Sequence, residues 1–222
     1  MSYSIAIDGP AGAGKSTIAK LVAKKKEFIY VDTGAMYRAI AYYFDKHDVN
    51  LKNDEAVKKA CRDVDITIEY QNGEQVVVLN GENVNGVIRS SEIGMLASSV
   101  AANLNVRKKL VELQQELAKG TDIIMDGRDI GTCVLPNANL KIYLTASVEV
   151  RAKRRYDELK LKEEFINLRQ IEVEIKERDI TDMNREHSPL VQANDAIYLD
   201  TSSMNIEQVV NRIIAYSIEH DR

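Results

Sequence analysis

Nine consecutive residues, Gly9-Pro10-Ala11-Gly12-Ala13-Gly14-Lys15-Ser16-Thr17, meet the phosphate-binding pattern G-x-x-x-x-G-K-[ST] at every required position. Glycines at these places let backbone N–H groups turn inward around an anion, and a helix opening at Lys15 would add its partial positive charge. Lys15 has the reach to meet β- and γ-phosphates as a point charge. The Ser16 hydroxyl suits the Mg²⁺ that accompanies them. A glycine-rich turn before an ordinary helix would not demand Lys-Ser at this spacing. All nine residues are therefore candidates for nucleotide binding, with Ser16 the candidate metal ligand.

The elements around the motif give it meaning. Ser4 to Asp8 reads as a short buried strand, and Ile18, Leu21 and Val22 share one helical face after the loop. A second apolar run, Phe28 to Val31, leads through Asp32-Thr33-Gly34 into a helix bearing Met36, Ile40, Tyr43 and Phe44. Ile123 to Met125, Leu140 to Leu144 and Ala196 to Asp200 are the third, fourth and fifth core strands, and Ile206 to Ile218 is a closing amphipathic helix. Such alternation predicts an α/β fold, a five-stranded parallel sheet with helices on both faces. Between the second and third strands the rhythm breaks. A helix at about 53–62, a small antiparallel sheet at 63–85 turning at Asn72-Gly73, and helices at about 91–103 and 106–119 read as an insertion over about 38–118. No linker divides the 222 residues into independent domains.

Ligands of open parallel sheets lie beyond the carboxyl ends of the strands, and here those ends are polar. The second strand supplies Asp32, Thr33 and shortly Arg38, and the third supplies Asp126, Arg128 and Asp129. On a helix expected from about Glu163, Leu168, Ile171 and Ile175 mark a buried face that continues to Arg178, Asp182 and Arg185. That helix end either enters a polar cleft or carries a simple Arg178–Asp182 pair at i, i+4. Arg151, Arg154 and Arg155 share a helix with Lys153, which reads as a solvated face, and the polar segment 156–167 after it reads as a mobile cover or a plain surface helix. Lys15, Arg128, Arg185, Arg151 and Arg155 are the candidates for direct work on a transferring group.

So many arginines around a phosphate loop suit transfer between two phosphates, because donor and acceptor are both anions and guanidinium groups bind their oxygens in pairs. A phosphate acceptor, with a second pKa of about 6, is already a nucleophile at neutral pH. A hydroxyl acceptor would need an Asp as base, and Asp32 or Asp129 could serve. Composition narrows the class further. A net charge of -4 argues against a non-specific nucleic-acid binder. Cys61 and Cys133 have no metal or redox spacing, and the three histidines form no ligand cluster. No basic-then-apolar leader and no 18-residue apolar run occur, so a cytoplasmic protein with no membrane partner is expected. The guanine-reading N-K-x-D of GTPases is absent.

Gly9 to Thr17, Asp-Thr-Gly-Ala-Met-Tyr-Arg at 32–38, Asp-Gly-Arg-Asp-Ile-Gly-Thr at 126–132, and Glu-Arg-Asp followed by Asn-Arg within 177–185 together resemble bacterial cytidylate kinases over nearly the whole chain. The resemblance implies a single P-loop kinase domain over 1–222, with a nucleoside-monophosphate-binding insertion at about 38–118 enlarged by a small antiparallel sheet, and a short lid at about 153–172. It implies ATP as donor with Mg²⁺, CMP and dCMP as acceptors, and a monomer that binds no nucleic acid. Carried over residue by residue, it assigns Arg38, Arg128 and Arg185 to the acceptor phosphate and Arg178 with Asp182 to the ribose. It gives Ser98, Arg107 and Asp129 to the cytosine, and keeps a substrate-binding hydroxyl at Thr33, where some members carry Ser. Ser16 stands where many members carry Gly. Adenylate and shikimate kinases, or a regulatory nucleotide-binding module, are the competing readings.

Overall fold

The computed structural model describes residues 2–71, 74–161 and 166–220, so the expected turn at Asn72-Gly73 and part of the expected lid lie outside the described residues. Five strands form a parallel sheet in the order β2-β6-β1-β7-β8, comprising β1 (Ser4–Asp8), β2 (Ile29–Asp32), β6 (Ile123–Gly127), β7 (Leu140–Thr145) and β8 (Ile197–Asp200). Ile5, Ala6 and Ile7 are fully buried, as are Ile123, Ile124 and Met125 beside them, because a central parallel strand is covered on both faces. Continuous apolar runs, rather than alternation, are the sequence signature of that burial. On one face α1 (Lys15–Lys26) and α8 (Ile206–Glu219) pack Ile18, Val22, Val209, Val210 and Ile213 against Ile5, Ile142 and Leu144. A capping box at Asn205 and Gln208 opens α8.

Strand order fixes where a ligand can sit. From β1 the chain leaves toward β2 on one side, and from neighbouring β7 toward β8 on the other. The carboxyl ends of β1 and β7 therefore flank the switch point at which open α/β sheets bind ligands. The P-loop follows β1 directly into this crevice.

The chain divides into two compact units, Met1–Tyr30 with Gly120–Arg222, and Val31–Lys119. The second contains α2 (Thr33–Lys46), α3 (Asp54–Asp63), an antiparallel sheet of β3 (Ile66–Gln71), β4 (Glu74–Leu79) and β5 (Glu82–Asn83), α4 (Ser91–Val100) and α5 (Leu104–Leu117). Asparagine side chains start two of its helices, Asn53 accepting from the Ala56 N–H and Asn103 from the Asn105 N–H. Asp32 caps α2 in the same way, so no turn separates β2 from that helix. The remaining elements of the first unit are α6 (Val148–Lys160) and α7 (Leu168–Met183), joined through Ala152, Ile171 and Ile175.

Two local expectations need correction, and one element goes beyond them. Helix α7 begins at Leu168, because the Asn167 carboxamide accepts from the Arg169 and Gln170 N–H groups and sets the cap there. Its buried face runs Ile171, Ile175, Asp179, Asp182, while Arg178 is exposed, so the turn after Ile175 advances by four residues. After β6 the chain forms a five-residue π-helix, Ile130–Val134, which no periodicity announced.

Candidate active site

The P-loop owes its shape to three residues with positive φ: Gly9 at 150°, Gly12 at 71° and Gly14 at 86°. At Gly9 a methyl group could enter only if the backbone shifted, since a Cβ would lie 1.9 Å from the Leu144 carbonyl oxygen on β7. The loop is thus pressed against the second strand of the switch point. Lys15 is buried, 6 % exposed, and its ammonium donates to the Gly9 and Pro10 carbonyls at 2.7 Å each. Burial drives its pKa well down, and the nearby charges of Arg128 and Arg178 push the same way against Asp126.

Below the loop, Asp126 at the end of β6 accepts from Ser16 Oγ at 2.9 Å and from the Tyr30 hydroxyl at 2.7 Å. In P-loop enzymes the loop Ser or Thr and a strand-end Asp hold the Mg²⁺. A hydroxyl and a carboxylate, both hard oxygen donors and already within hydrogen-bonding distance, fit that ion. Among the described residues no three His, Cys, Asp or Glu cluster for a metal, and magnesium, which takes much of its shell from water and phosphate, needs no such cage. Sequence reading had noted Asp126 only as a polar strand end.

Asp8, the last residue of β1, was also missed. Its carboxylate accepts from the Ile130 N–H at 2.8 Å and the Gly131 N–H at 2.7 Å, so it ties the strand before the P-loop to the segment bearing Arg128 and Asp129. Burial raises its pKa to about 6; the two N–H groups and Lys15 lower it, and Asp129 adds to the rise.

Arg128 Nε donates to Asp182 Oδ2 at 2.7 Å, and Arg185 Nη1 lies 3.8 Å from the other oxygen of the same carboxylate. Burial opposes the Arg128 charge, but Asp182, Asp126 and Asp179 outweigh it and hold its pKa above the usual value. Burial likewise opposes ionisation of Asp182, and Arg128, Arg185 and Arg178 overcome it, holding this carboxylate below its usual range. Arg185 also donates to the Ser188 carbonyl. The structure therefore gathers Lys15, Ser16, Asp126, Arg128, Asp182 and Arg185 around the end of the central strands. Arg178, though exposed, lies close enough to act on the charges of Lys15 and Asp182. Asp129, 4 % exposed, precedes the π-helix and accepts the Cys133 N–H at its carbonyl.

On α6, Arg151 is buried against the P-loop, donating to the Ala11 and Ala146 carbonyls and pairing with Asp179. Arg154 donates to the carbonyl and hydroxyl of Thr201, and Arg155 pairs with Glu158 at 2.9 Å on the half-open helix face. In the second unit Arg38 donates to Asp32 at 3.0 Å, and Thr33 is buried beside this pair at the start of α2. Among the described residues Arg38 Nε is buried with no hydrogen-bond partner, as a donor that takes an anion would be. Arg107 on α5 is 3 % exposed, donates to the Ala101 carbonyl and lies over the Tyr37 ring at 5.6 Å. Ser98 is half-buried on α4, which packs on α2.

A phosphate loop pressed into the switch point of a parallel sheet, ringed by guanidinium groups, belongs to the small P-loop kinases. The solved shikimate kinase of Acinetobacter baumannii shares this fold, with a TM-score of 0.50 and 13 % identity over 99 % of this chain and 94 % of its own. Sequence narrows the class. Residues 5–219 match the family model described as cytidylate kinase. Curated cytidylate kinases of Listeria innocua and Caldicellulosiruptor bescii are 53 % and 50 % identical, each over 95 % of this chain and 94 % and 93 % of their own length. The chain belongs to the cytidylate kinase family and is a nucleoside monophosphate kinase. No helix among the described residues is long and apolar enough to cross a membrane.

Proposed function

We propose that the protein transfers the γ-phosphate of ATP directly and in line to CMP and dCMP. The observation carrying this reading is the cluster in which Arg128 and Arg185 share Asp182 beside Lys15, a set of cations suited to two facing phosphates. The P-loop takes the donor phosphates, and Lys15 exchanges its two carbonyl partners for β- and γ-oxygens. Ser16 and Asp126 are the residues that would hold Mg²⁺, which supplies neutralisation of charge shared by those oxygens. The acceptor phosphate attacks without a general base, being largely dianionic at neutral pH given a second pKa of about 6. Arg38, Arg128 and Arg185 orient it, so the protein's contribution is positioning and charge stabilisation. Arg178 and Asp182 are assigned to the ribose, Thr33 to the acceptor, and Ser98, Arg107 and Asp129 to the base.

The segments at about 38–118 and 153–172 are proposed as the monophosphate-binding part and the lid, which exclude water during transfer. We further infer that the protein works in the cytoplasm as a monomer and binds no nucleic acid. A coupled assay with ATP-Mg²⁺ and a panel of CMP, dCMP, UMP, AMP and shikimate tests the activity. Turnover confined to CMP and dCMP is expected, and faster turnover of AMP or shikimate would overturn the reading.

A further inference from the structure

The peptide of Ala11, at the crest of the P-loop, is gripped at both of its polar atoms by one ion pair. Its N–H donates to Asp179 Oδ1 at 2.9 Å, and its carbonyl accepts from Arg151 Nη1 at 2.7 Å. The same Nη1 donates to Asp179 Oδ2 at 2.6 Å, closing the ring, while Arg151 Nε is held by the Ala146 carbonyl at 2.8 Å. Arg151 is 4 % exposed and Asp179 6 % exposed. At the next residue, Gly12, an added Cβ would come within 3.3 Å of Arg151 Cβ and 3.4 Å of Ile175 Cδ1. Two helices therefore meet the loop here, and they are already one body through Ala152, Ile171 and Ile175.

For Arg151 to leave this place and touch a phosphate, it would abandon three protein oxygens and strand the Asp179 carboxylate where it is only 6 % exposed. A buried charge left without its partner is strongly disfavoured. The Ala11 N–H, moreover, points to Asp179 and not into the cradle. The pair acts on the backbone as a neighbouring strand would, offering one acceptor and one donor to a single residue.

We propose that Arg151 and Asp179 are positioning residues that fix the Ala11-Gly12 crest of the P-loop and fasten it to the inner ends of α6 and α7. The consequence is specific to the donor side. With the clamp gone the crest peptide is free to rotate, and the cradle must be ordered anew each time a triphosphate binds. Of the proposed acceptor contacts, Arg38 and Arg128 lie on other segments, and Asp182, one turn beyond Asp179 on α7, keeps its own anchor in Arg128. This inference rests on the reading of the P-loop as the ATP site.

Two variants separate positioning from folding. Asp179→Asn keeps the shape but cannot accept from both Ala11 and Arg151, and the double variant Arg151→Met with Asp179→Leu removes both charges so that neither is stranded. The expected result in both is a rise of tenfold or more in KM for ATP, with KM for CMP within twofold of the parent. Amide exchange at Ala11 should accelerate at least tenfold while that of Ile5 and Ile7 in β1 stays unchanged. An equal rise in both KM values, or an unchanged KM for ATP, overturns the proposal, as does unaltered exchange at Ala11. Direct titration of each protein with ATP keeps the inference separable from the proposed reaction. If the parent binds ATP but phosphorylates no monophosphate, the reaction is wrong and the clamp is judged by whether the variants bind ATP tenfold more weakly.

Discussion

Replacing Asp8 by Asn should make the protein relatively more stable as pH rises, although it removes two charge-assisted hydrogen bonds. The unfolded carboxyl ionises near 3.8 and the folded one near about 6, because the side chain is buried and faces Asp129. A folded state that holds its proton to higher pH gains stability from this group fully below 3.8 and loses it as pH climbs through about 6. The raised pKa corresponds to about 3 kcal/mol against the folded state at neutral pH, of which about 2 kcal/mol develops between roughly pH 4.5 and 7.5. Groups facing the carboxylate are Lys15, Asp129 and, across the strand pair, Tyr143, whereas the Ile130 and Gly131 N–H groups favour the ion. Urea unfolding of both proteins at several pH values isolates the effect, since a fixed offset from the amide cancels in the pH dependence. The difference in unfolding free energy should move by about 2 kcal/mol in favour of Asp8→Asn across that interval. A difference that stays flat would refute the reasoning. Activity should move the opposite way, with a lower kcat/KM for CMP in the variant, because an amide can accept only one of the two N–H groups that hold the Arg128-Asp129 segment.

Lys15→Ala should fold normally and lose roughly 10²–10³-fold in kcat, since it removes one preorganised cation from the developing charge; near-normal turnover by a folded variant would defeat its assignment. Gly9→Ala should lose about 1–3 kcal/mol in urea unfolding, as its Cβ would fall 1.9 Å from the Leu144 carbonyl oxygen. Asp129→Asn should narrow the ratio of kcat/KM between CMP and UMP, because a carboxylate suits the amino edge of cytosine and an amide can face either base. An energy of about 1–3 kcal/mol per mismatched group sets the scale, and an unchanged ratio places the discrimination elsewhere.

The core was legible because its signals are local. Continuous apolar runs gave β1, β6 and β7, and the P-loop pattern needed no neighbour to be read. Asparagine caps at Asn53, Asn103 and Asn167 were equally local, and reading them would have set the helix starts that periodicity alone left loose. What escaped depends on partners remote in sequence. From Ile175, steps of three and four lead to Arg178 and Asp179 alike; the choice is made by the Ala11 N–H and by Arg151, which lie 168 and 28 residues from Asp179. The π-helix is of the same kind. Its first two N–H groups are satisfied by Asp8, 122 and 123 residues earlier, so its ladder spacing is not encoded within its own five residues. If Arg151 is the positioning residue proposed above, it shows the converse hazard, since a basic residue near a phosphate loop reads as a ligand of the phosphate when its carbonyl partners are remote in sequence.

The partners of the cations bear on how the proposed reaction is controlled. Lys15 rests on two neutral carbonyls, whereas Arg128 and Arg38 rest on the carboxylates of Asp182 and Asp32. A donor phosphate has only dipoles to displace from Lys15, and its charge also counters the burial that depresses the lysine pKa. An acceptor phosphate must compete with a carboxylate at each arginine. A monoanion offers such a site little that the carboxylate does not already supply, whereas a dianion with three oxygens offers more charge and can bridge two guanidinium groups. On the proposed assignment of these residues, the arginine pairs favour a phosphate monoester over singly charged competitors, with easy exchange on the donor side and discrimination on the acceptor side.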